Sequence, residues 1–160
     1  MNLPSILLWG FVATVVLSST MEGSRGLGWS RMSLPFMLGT MLTPDYDRAV
    51  PVGFLMQFVI GLALALLYAL IFESWHRATW WMGGALGFVH GVAFLVLVMP
   101  VLPAIHTRMA TDRTGPEPAR ALEPPGFLAL NYGRRTPLFT MLAHVLYGMI
   151  LGGFYRLVSG

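Results

Sequence analysis

The chain has 160 residues, of which 56% are hydrophobic and only 11% are charged, and its formal net charge is +3. Soluble domains carry about 25% charged residues, so a soluble fold of this length could not cover its surface with so few charges. These values weigh against a soluble enzyme, a nucleic-acid-binding protein and a disordered chain. The absence of cysteine excludes disulfides and thiolate metal sites. The composition therefore predicts an integral membrane protein.

Four long apolar runs predict four transmembrane helices within one membrane domain that covers residues 1–160. Each run has about 19 to 24 residues, the length that a helix needs to cross roughly 30 Å of hydrocarbon. The runs cover residues 3–21, 51–72, 79–102 and 138–158. The first run could also be a signal peptide. It has no basic residue before Arg25 and a poor cleavage site at Leu17–Ser18–Ser19, which favours a retained span.

The distribution of arginine predicts the orientation. The chain has no lysine, and only Arg77 and Arg156 lie outside the two long loops at about 22–50 and 103–137. Short loops rich in arginine stay in the cytoplasm. The sequence therefore predicts a protein of the cytoplasmic (inner) membrane with both long loops inside and both termini outside. The loop arginines are Arg25, Arg31, Arg48, Arg108, Arg113, Arg120, Arg134 and Arg135.

Both long loops contain segments that are expected to touch the membrane. Residues 32–42 (MSLPFMLGTML) are too short to span and too apolar for water, which predicts an interfacial or re-entrant segment. The second loop has proline-rich turns (GPEP and EPPG) and then FLALNYGRR, a surface strip whose Arg134 and Arg135 would contact anionic lipid. His106 and Arg108 are either further ligands of a lipid headgroup or a solvated helix end.

Small residues recur at helical spacing in the predicted spans. The second span reads Gln57-x3-Gly61-x3-Ala65-x2-Tyr68, and the fourth reads His144-x3-Gly148-x3-Gly152-x2-Tyr155. Such spacing places each set on one helix face, where small residues let helix backbones approach. The pattern predicts an all-α four-helix bundle and is compatible with a duplicated two-helix unit (2+2). The predicted packing glycines are Gly61, Gly83, Gly87, Gly91, Gly148 and Gly152.

Three polar residues inside the spans are not explained by packing. Gln57 and His144 lie at similar depth, so the sequence predicts either a hydrogen bond between them or a ligand site. His90 is expected to lie deeper, which makes a haem held by His90 and His144 a poor fit. A tetrapyrrole held by one histidine, or a quinone held by His144, Gln57 and Tyr155, stays open. Tyr68 belongs to the same candidate set.

Recognisable catalytic and metal-binding motifs are absent from the sequence. The spans contain no Asp or Glu in their interior, which weighs against a proton relay. The sequence also lacks His-x3-His, HExxH, a phosphate-binding loop and GxSxG. We therefore expect neither catalysis nor a metal site, and no cofactor is required.

Five segments together resemble a family of small, uncharacterised four-span bacterial membrane proteins. The resemblance covers most of the chain and implies the four-span fold and a bacterial inner-membrane location. It implies no activity. The family pattern has histidine at the position of Gln57, so any role that needs a histidine in the second span does not carry over. The segments are GFVATVVLSSTMEG, LPFMLGTML, LPAIHTRM, EPPGFLALNYGRRTP and AHVLYGMILGGFY.

From these features the sequence predicts a non-catalytic accessory or assembly subunit of a larger membrane complex. Its expected partners are membrane lipids and other membrane-protein subunits, or a second copy of itself, and not nucleic acid. The eleven methionines suit adaptable packing against such partners. The alternative is a helical bundle that binds haem, another tetrapyrrole or a quinone. A weaker alternative is a small oligomeric transporter or channel.

Overall fold

A computed structural model describes residues 1–111 and 122–157 of the chain. Within these residues the protein is an all-α bundle without strands, and four helical stretches are long and apolar enough to cross a membrane. The predicted fold class is confirmed. The helices are α1 (Leu3–Gly26), α2 (Leu34–Leu42), α3 (Tyr46–Ser74), α4 (Trp80–Ala93), α5 (Met99–Ile105) and α6 (Thr136–Phe154), with a π-helical turn (Phe94–Val98) and a 3-10 turn (Phe127–Tyr132).

Most of the spans extend beyond their predicted runs, and at the start of α3 a polar residue caps the extension. Helix α3 begins five residues before Pro51, where the Asp45 side chain accepts hydrogen bonds from the backbone N–H groups of Asp47 (3.0 Å) and Arg48 (3.4 Å). Helix α6 ends at Phe154. The sequence predicts a fourth span that continues to about residue 158, so the helix ends earlier than predicted. Arg113 and Arg120, which contribute to the predicted orientation, lie outside the described residues.

Within the described chain, the spans pack in the order α3, α1, α6 and α4, with α2 added against α3. The most extensive contact is between α4 and α6, and α3 makes little direct contact with α4. One end of the bundle, here called the terminal end, holds Asn2, Ser74 and Tyr155. The opposite end, here called the loop end, holds Gly26 and Thr136.

The glycine faces lie at the helix contacts. A Cβ atom at Gly83 would lie 2.0 Å from the carbonyl oxygen of Gly148, and one at Gly152 would lie 2.8 Å from the Cα atom of Gly83. Gly87 and Gly91 meet the same helix one and two turns further along. Without a hydrophobic driving force in lipid, such close backbone approach is what holds spans together.

The two halves of the bundle pack in corresponding ways. Gly61 of α3 lies against α1, where an added Cβ would be 2.1 Å from Thr14 Oγ1. Gly148 occupies the corresponding place in the repeat and lies against Gly83 of α4. Each half therefore consists of two antiparallel spans that meet through a small residue at the same position of the predicted repeat.

The apolar segment of the first loop forms α2, a nine-residue helix that lies against the start of α3. Both glycines at this contact touch backbone: a Cβ at Gly39 would be 1.7 Å from the carbonyl oxygen of Ala49, and one at Gly53 would be 1.6 Å from that of Pro35. Helix α2 is thus a short helix packed at the loop end, and it is too short to span the bilayer.

The second loop is attached to the first. The Ser30 and Thr136 hydroxyls lie 2.8 Å apart, and the backbone N–H of Arg31 donates to the carbonyl oxygen of Tyr132 (2.6 Å). The Tyr132 hydroxyl donates to the carbonyl oxygen of Glu123 (2.5 Å). Burial and the nearby Glu123 carboxylate raise the pKa of Tyr132 to about 12. The described parts of both loops therefore form one folded layer at this end.

The third span runs from Trp80 to Ile105 and consists of α4, the π-helical turn and α5. The π-helical turn widens the second half of this span. Proline at position 100 has no N–H and its ring clashes with the carbonyl four residues earlier in a regular helix, and a π turn relieves such a clash. The turn begins at Phe94, whose ring lies 5.0 Å from that of His144.

Candidate functional site

A cavity of about 300 Å³ lies between α3 and the third span, bounded by α1 and α6. We call it the midspan cavity. Its walls are mainly leucine, isoleucine, methionine and phenylalanine side chains, and α2 closes its loop end with Leu34, Met37, Leu38 and Met41. The polar side chains that line it are Thr14, Gln57, His90, His144 and Tyr147.

Gln57 is the least satisfied of these groups. Its side chain is buried, with the residue 6% exposed, and among the described residues neither its amide nitrogen nor its amide oxygen has a hydrogen-bond partner. The predicted hydrogen bond between Gln57 and His144 is therefore wrong for this structure. A buried unpaired amide costs about 1–3 kcal/mol, so this group needs a partner that the described residues do not supply.

The two intramembrane histidines touch each other. Their ring centroids are 4.6 Å apart at an interplanar angle of 86°, an edge-to-face arrangement. His144 Nδ1 lies 2.7 Å from the carbonyl oxygen of Thr140 in the preceding turn of α6. Since a carbonyl can only accept, Nδ1 carries the hydrogen, and Nε2 of a neutral ring is left as an acceptor. Among the described residues no group donates to that Nε2.

The prediction that His90 lies deeper than His144 is corrected by this contact. Gly87 and Gly91, on either side of His90, both lie against His144. The prediction assumed that neighbouring apolar runs end at one depth. The helical stretch that carries His90 continues to Ile105, whereas α6 begins only eight residues before His144. A haem held by both histidines is still a poor fit at equal depth. Its macrocycle would have to lie between the two imidazole rings, which are in contact with each other.

Two tyrosines complete the polar cluster. The Tyr68 hydroxyl lies 3.2 Å from His90 Nδ1, and the Tyr147 hydroxyl donates to the carbonyl oxygen of Gly61 (2.5 Å). The two phenol rings pack edge to face at 5.6 Å. Sequence reasoning did not select Tyr147, although its position three residues after His144 places it on the same helix face.

Tyr155 does not belong to the cavity, which corrects the predicted quinone site of His144, Gln57 and Tyr155. It lies at the terminal end, where its hydroxyl donates to Glu73 Oε1 (2.6 Å) and accepts from the backbone N–H of Asn2 (3.1 Å). Its place in the site is taken by Tyr147. Tyr155 instead joins the ends of α1, α3 and α6.

His106 and Arg108 contact protein groups and not an open surface. His106 is buried, and its Nε2 lies 3.0 Å from the carbonyl oxygen of Met37 and 3.2 Å from Thr40 Oγ1. The guanidinium of Arg108 donates to the carbonyl oxygen of Thr40 (2.5 Å). This corrects both predicted roles of His106, as a headgroup ligand and as part of a solvated helix end. The pair fastens the end of α5 to α2.

The other two predicted headgroup residues remain at the surface. Arg134 is exposed, and the guanidinium of Arg135 lies 5.6 Å from the centre of the Trp29 ring. Both follow the 3-10 turn whose Phe127 and Leu130 side chains are exposed. Contact with anionic lipid stays a prediction for Arg134 and Arg135.

The chemistry that the site offers is hydrogen bonding within apolar walls. In residues 1–111 and 122–157 no group of three His, Asp or Glu side chains could hold a metal ion. Comparison of the chain with protein-family models, curated proteins and solved structures finds no match. The residues of the midspan cavity are therefore the basis for assigning a function.

Proposed function

We propose that this protein binds a small lipophilic molecule from the bilayer in the midspan cavity. The observation that carries the proposal is the Gln57 amide, which is buried in the cavity wall without a partner among the described residues. Polar groups inside a membrane are costly unless paired, so such a group marks a functional site. Apolar walls with a few polar groups are the usual make-up of a ligand pocket.

A ligand would enter from the side, between α3 and the third span. These two spans make little direct contact, and two cavity-lining residues, Ile60 and Val98, are 43% and 44% exposed on the lipid-facing surface. Helix α2 blocks the path from the loop end. The geometry therefore favours exchange with the lipid phase over exchange with water.

The cavity volume restricts the size of the ligand. About 300 Å³ is the lower limit of common small-molecule pockets, which suits one substituted ring and not the four rings of a tetrapyrrole. Of the ligands predicted from sequence, a quinone-sized molecule fits the cavity and haem does not.

The test is extraction of the protein from its host membranes with an amphiphilic polymer, followed by mass spectrometry of the molecules released by organic solvent. We expect one lipophilic molecule in near-stoichiometric amount with the wild-type chain and with Val59→Leu, a lipid-facing control two residues from Gln57. We expect Gln57→Leu to lose it. The same bulk lipids on all three proteins, with no enriched molecule, would contradict the proposal.

We also propose that the protein resides in the cytoplasmic membrane with both termini outside, on the strength of its arginine distribution. Function as an accessory or assembly subunit stays a prediction and is compatible with ligand binding. Its test is the composition of the extracted particle. A heteromer supports it, and a lone chain or homo-oligomer contradicts it. The transporter or channel alternative has no supporting observation beyond the presence of spans.

A further inference from the structure

We propose that the molecule bound in the midspan cavity is a hydroquinone: an aromatic ring with a free hydroxyl and a second ring oxygen, carried on an apolar tail. This inference rests on the proposed function and names the ligand class of the same site. It follows from the hydrogen-bonding capacities of His144 and Gln57, which differ from each other and together require a donor and an acceptor on the ligand.

His144 requires a donor. Its Nδ1–H is committed to the carbonyl oxygen of Thr140 at 2.7 Å, within its own helix, so the tautomer does not depend on the ligand. A charged imidazolium between apolar walls is costly, so the ring is neutral and Nε2 accepts. A ligand with only carbonyl or ether oxygens cannot satisfy Nε2, whereas a hydroxyl can.

Gln57 accepts either kind of group. Its amide has two hydrogens and a carbonyl oxygen, and none of them is used by the described residues. It can donate to the second ring oxygen of the ligand, whether that oxygen is a hydroxyl or a carbonyl. The selection for the hydroxyl form therefore comes from His144, and Gln57 contributes to binding of both forms.

The remaining walls fit a flat ring with a tail. The rings of Phe94 and His90 lie 5.0 Å and 4.6 Å from that of His144, so an aromatic ligand would lie among aromatic side chains. Its tail would leave through the opening at Ile60 and Val98 toward lipid. A free sugar or a charged metabolite would have no polar wall on that side.

The experiment uses the purified full chain in lipid nanodiscs and three probes: decylhydroquinone, the corresponding decylquinone and decylhydroquinone dimethyl ether. Binding is measured without oxygen, as probe retained above that on empty nanodiscs. We expect the hydroquinone to bind about tenfold more tightly than either other probe, which is the size of one net hydrogen bond. We expect His144→Phe to bind all three within about twofold, and Gln57→Leu to weaken the hydroquinone and the quinone alike.

The three probes on the wild-type chain test the hydroquinone assignment even if His144→Phe fails to fold. Equal binding of the three probes overturns the hydroquinone assignment and leaves the proposed function standing. Tightest binding of the quinone overturns it as well, in favour of a ligand that only accepts. No binding of any probe also overturns it, and the proposed function then falls only if the extracted wild-type protein carries no enriched lipophilic molecule.

Discussion

The two contacts of the third span differ sharply. Toward α6 it presents Gly83, Gly87 and Gly91, and the two backbones approach so closely that a Cβ at Gly83 would lie 2.0 Å from a carbonyl oxygen. Toward α3, its predecessor in the chain, it contacts Tyr68 through His90. Nearer the loop end it presents Phe94 and Val98, and there a cavity separates the two helices. The contrast shows that the third span packs closely where its glycines face α6, and leaves a gap where large side chains face α3.

The largest expected effect on stability comes from a substitution at the contact between α4 and α6. Gly83→Ala places a methyl group against the carbonyl of Gly148, and neither backbone can move without shifting its helix. We expect a loss of about 3 kcal/mol or more in the free energy of unfolding, at the upper end of overpacking effects. Thermal unfolding in detergent measures it.

The matched control for this substitution is Gly23→Ala in α1, where an added Cβ meets nothing within 4 Å. Replacing a helical glycine with alanine at such a site stabilises by roughly 0.5–1 kcal/mol. Equal melting temperatures for the two variants would show that the α4–α6 contact is looser than the structure indicates.

The next largest effect on stability concerns α2, the helix that closes the loop end of the cavity. His106→Leu leaves the carbonyl of Met37 and the hydroxyl of Thr40 without their imidazole partner in a buried place, and we expect a loss of about 2 kcal/mol. Hydrogen exchange of the α2 amides should rise in this variant and not in Thr107→Ala, a neighbouring exposed control. Unchanged exchange would mean that other contacts hold α2 in place.

Much of the contact between α4 and α6 was predictable from sequence. Little of the open arrangement between α3 and the third span was. Glycine at intervals of four marks a helix face by itself, so Gly83, Gly87 and Gly148 could be selected without a structure. The contact between His90 and His144 depends on how far two antiparallel helices are shifted along each other. The residue pattern within one helix does not determine that shift. The attachment of His106 to α2 likewise depends on how the two loops fold together.

The third prediction concerns Gln57, where a substitution should raise stability and weaken ligand binding. Gln57→Leu removes a buried amide that has no partner among the described residues, so we expect the empty protein to gain about 1–2 kcal/mol of unfolding free energy while losing its ligand. The amount of bound molecule is measured first on each preparation. The ligand is then removed, and the melting temperature is measured on the ligand-free protein. A destabilised variant would indicate that Gln57 has a structural partner.

The smallest expected change in stability is at the opening of the cavity. Val98→Trp fills the opening between α3 and the third span, whereas Leu97→Trp places the same bulk on the adjacent lipid-facing position. We expect both to stay within about 0.5 kcal/mol of the wild type in stability. Only Val98→Trp should slow or prevent uptake of the ligand. Equal uptake by both would contradict entry from the lipid side.

The most direct test of the account is native mass spectrometry of the tagged chain, extracted gently from its own membranes and then activated to release bound molecules. The account predicts that each copy of the chain carries one discrete lipophilic adduct, which is absent from Gln57→Leu and retained by Val59→Leu. A chain that carries no such adduct, alone or within a larger complex, would contradict the claim that the midspan cavity is a ligand site.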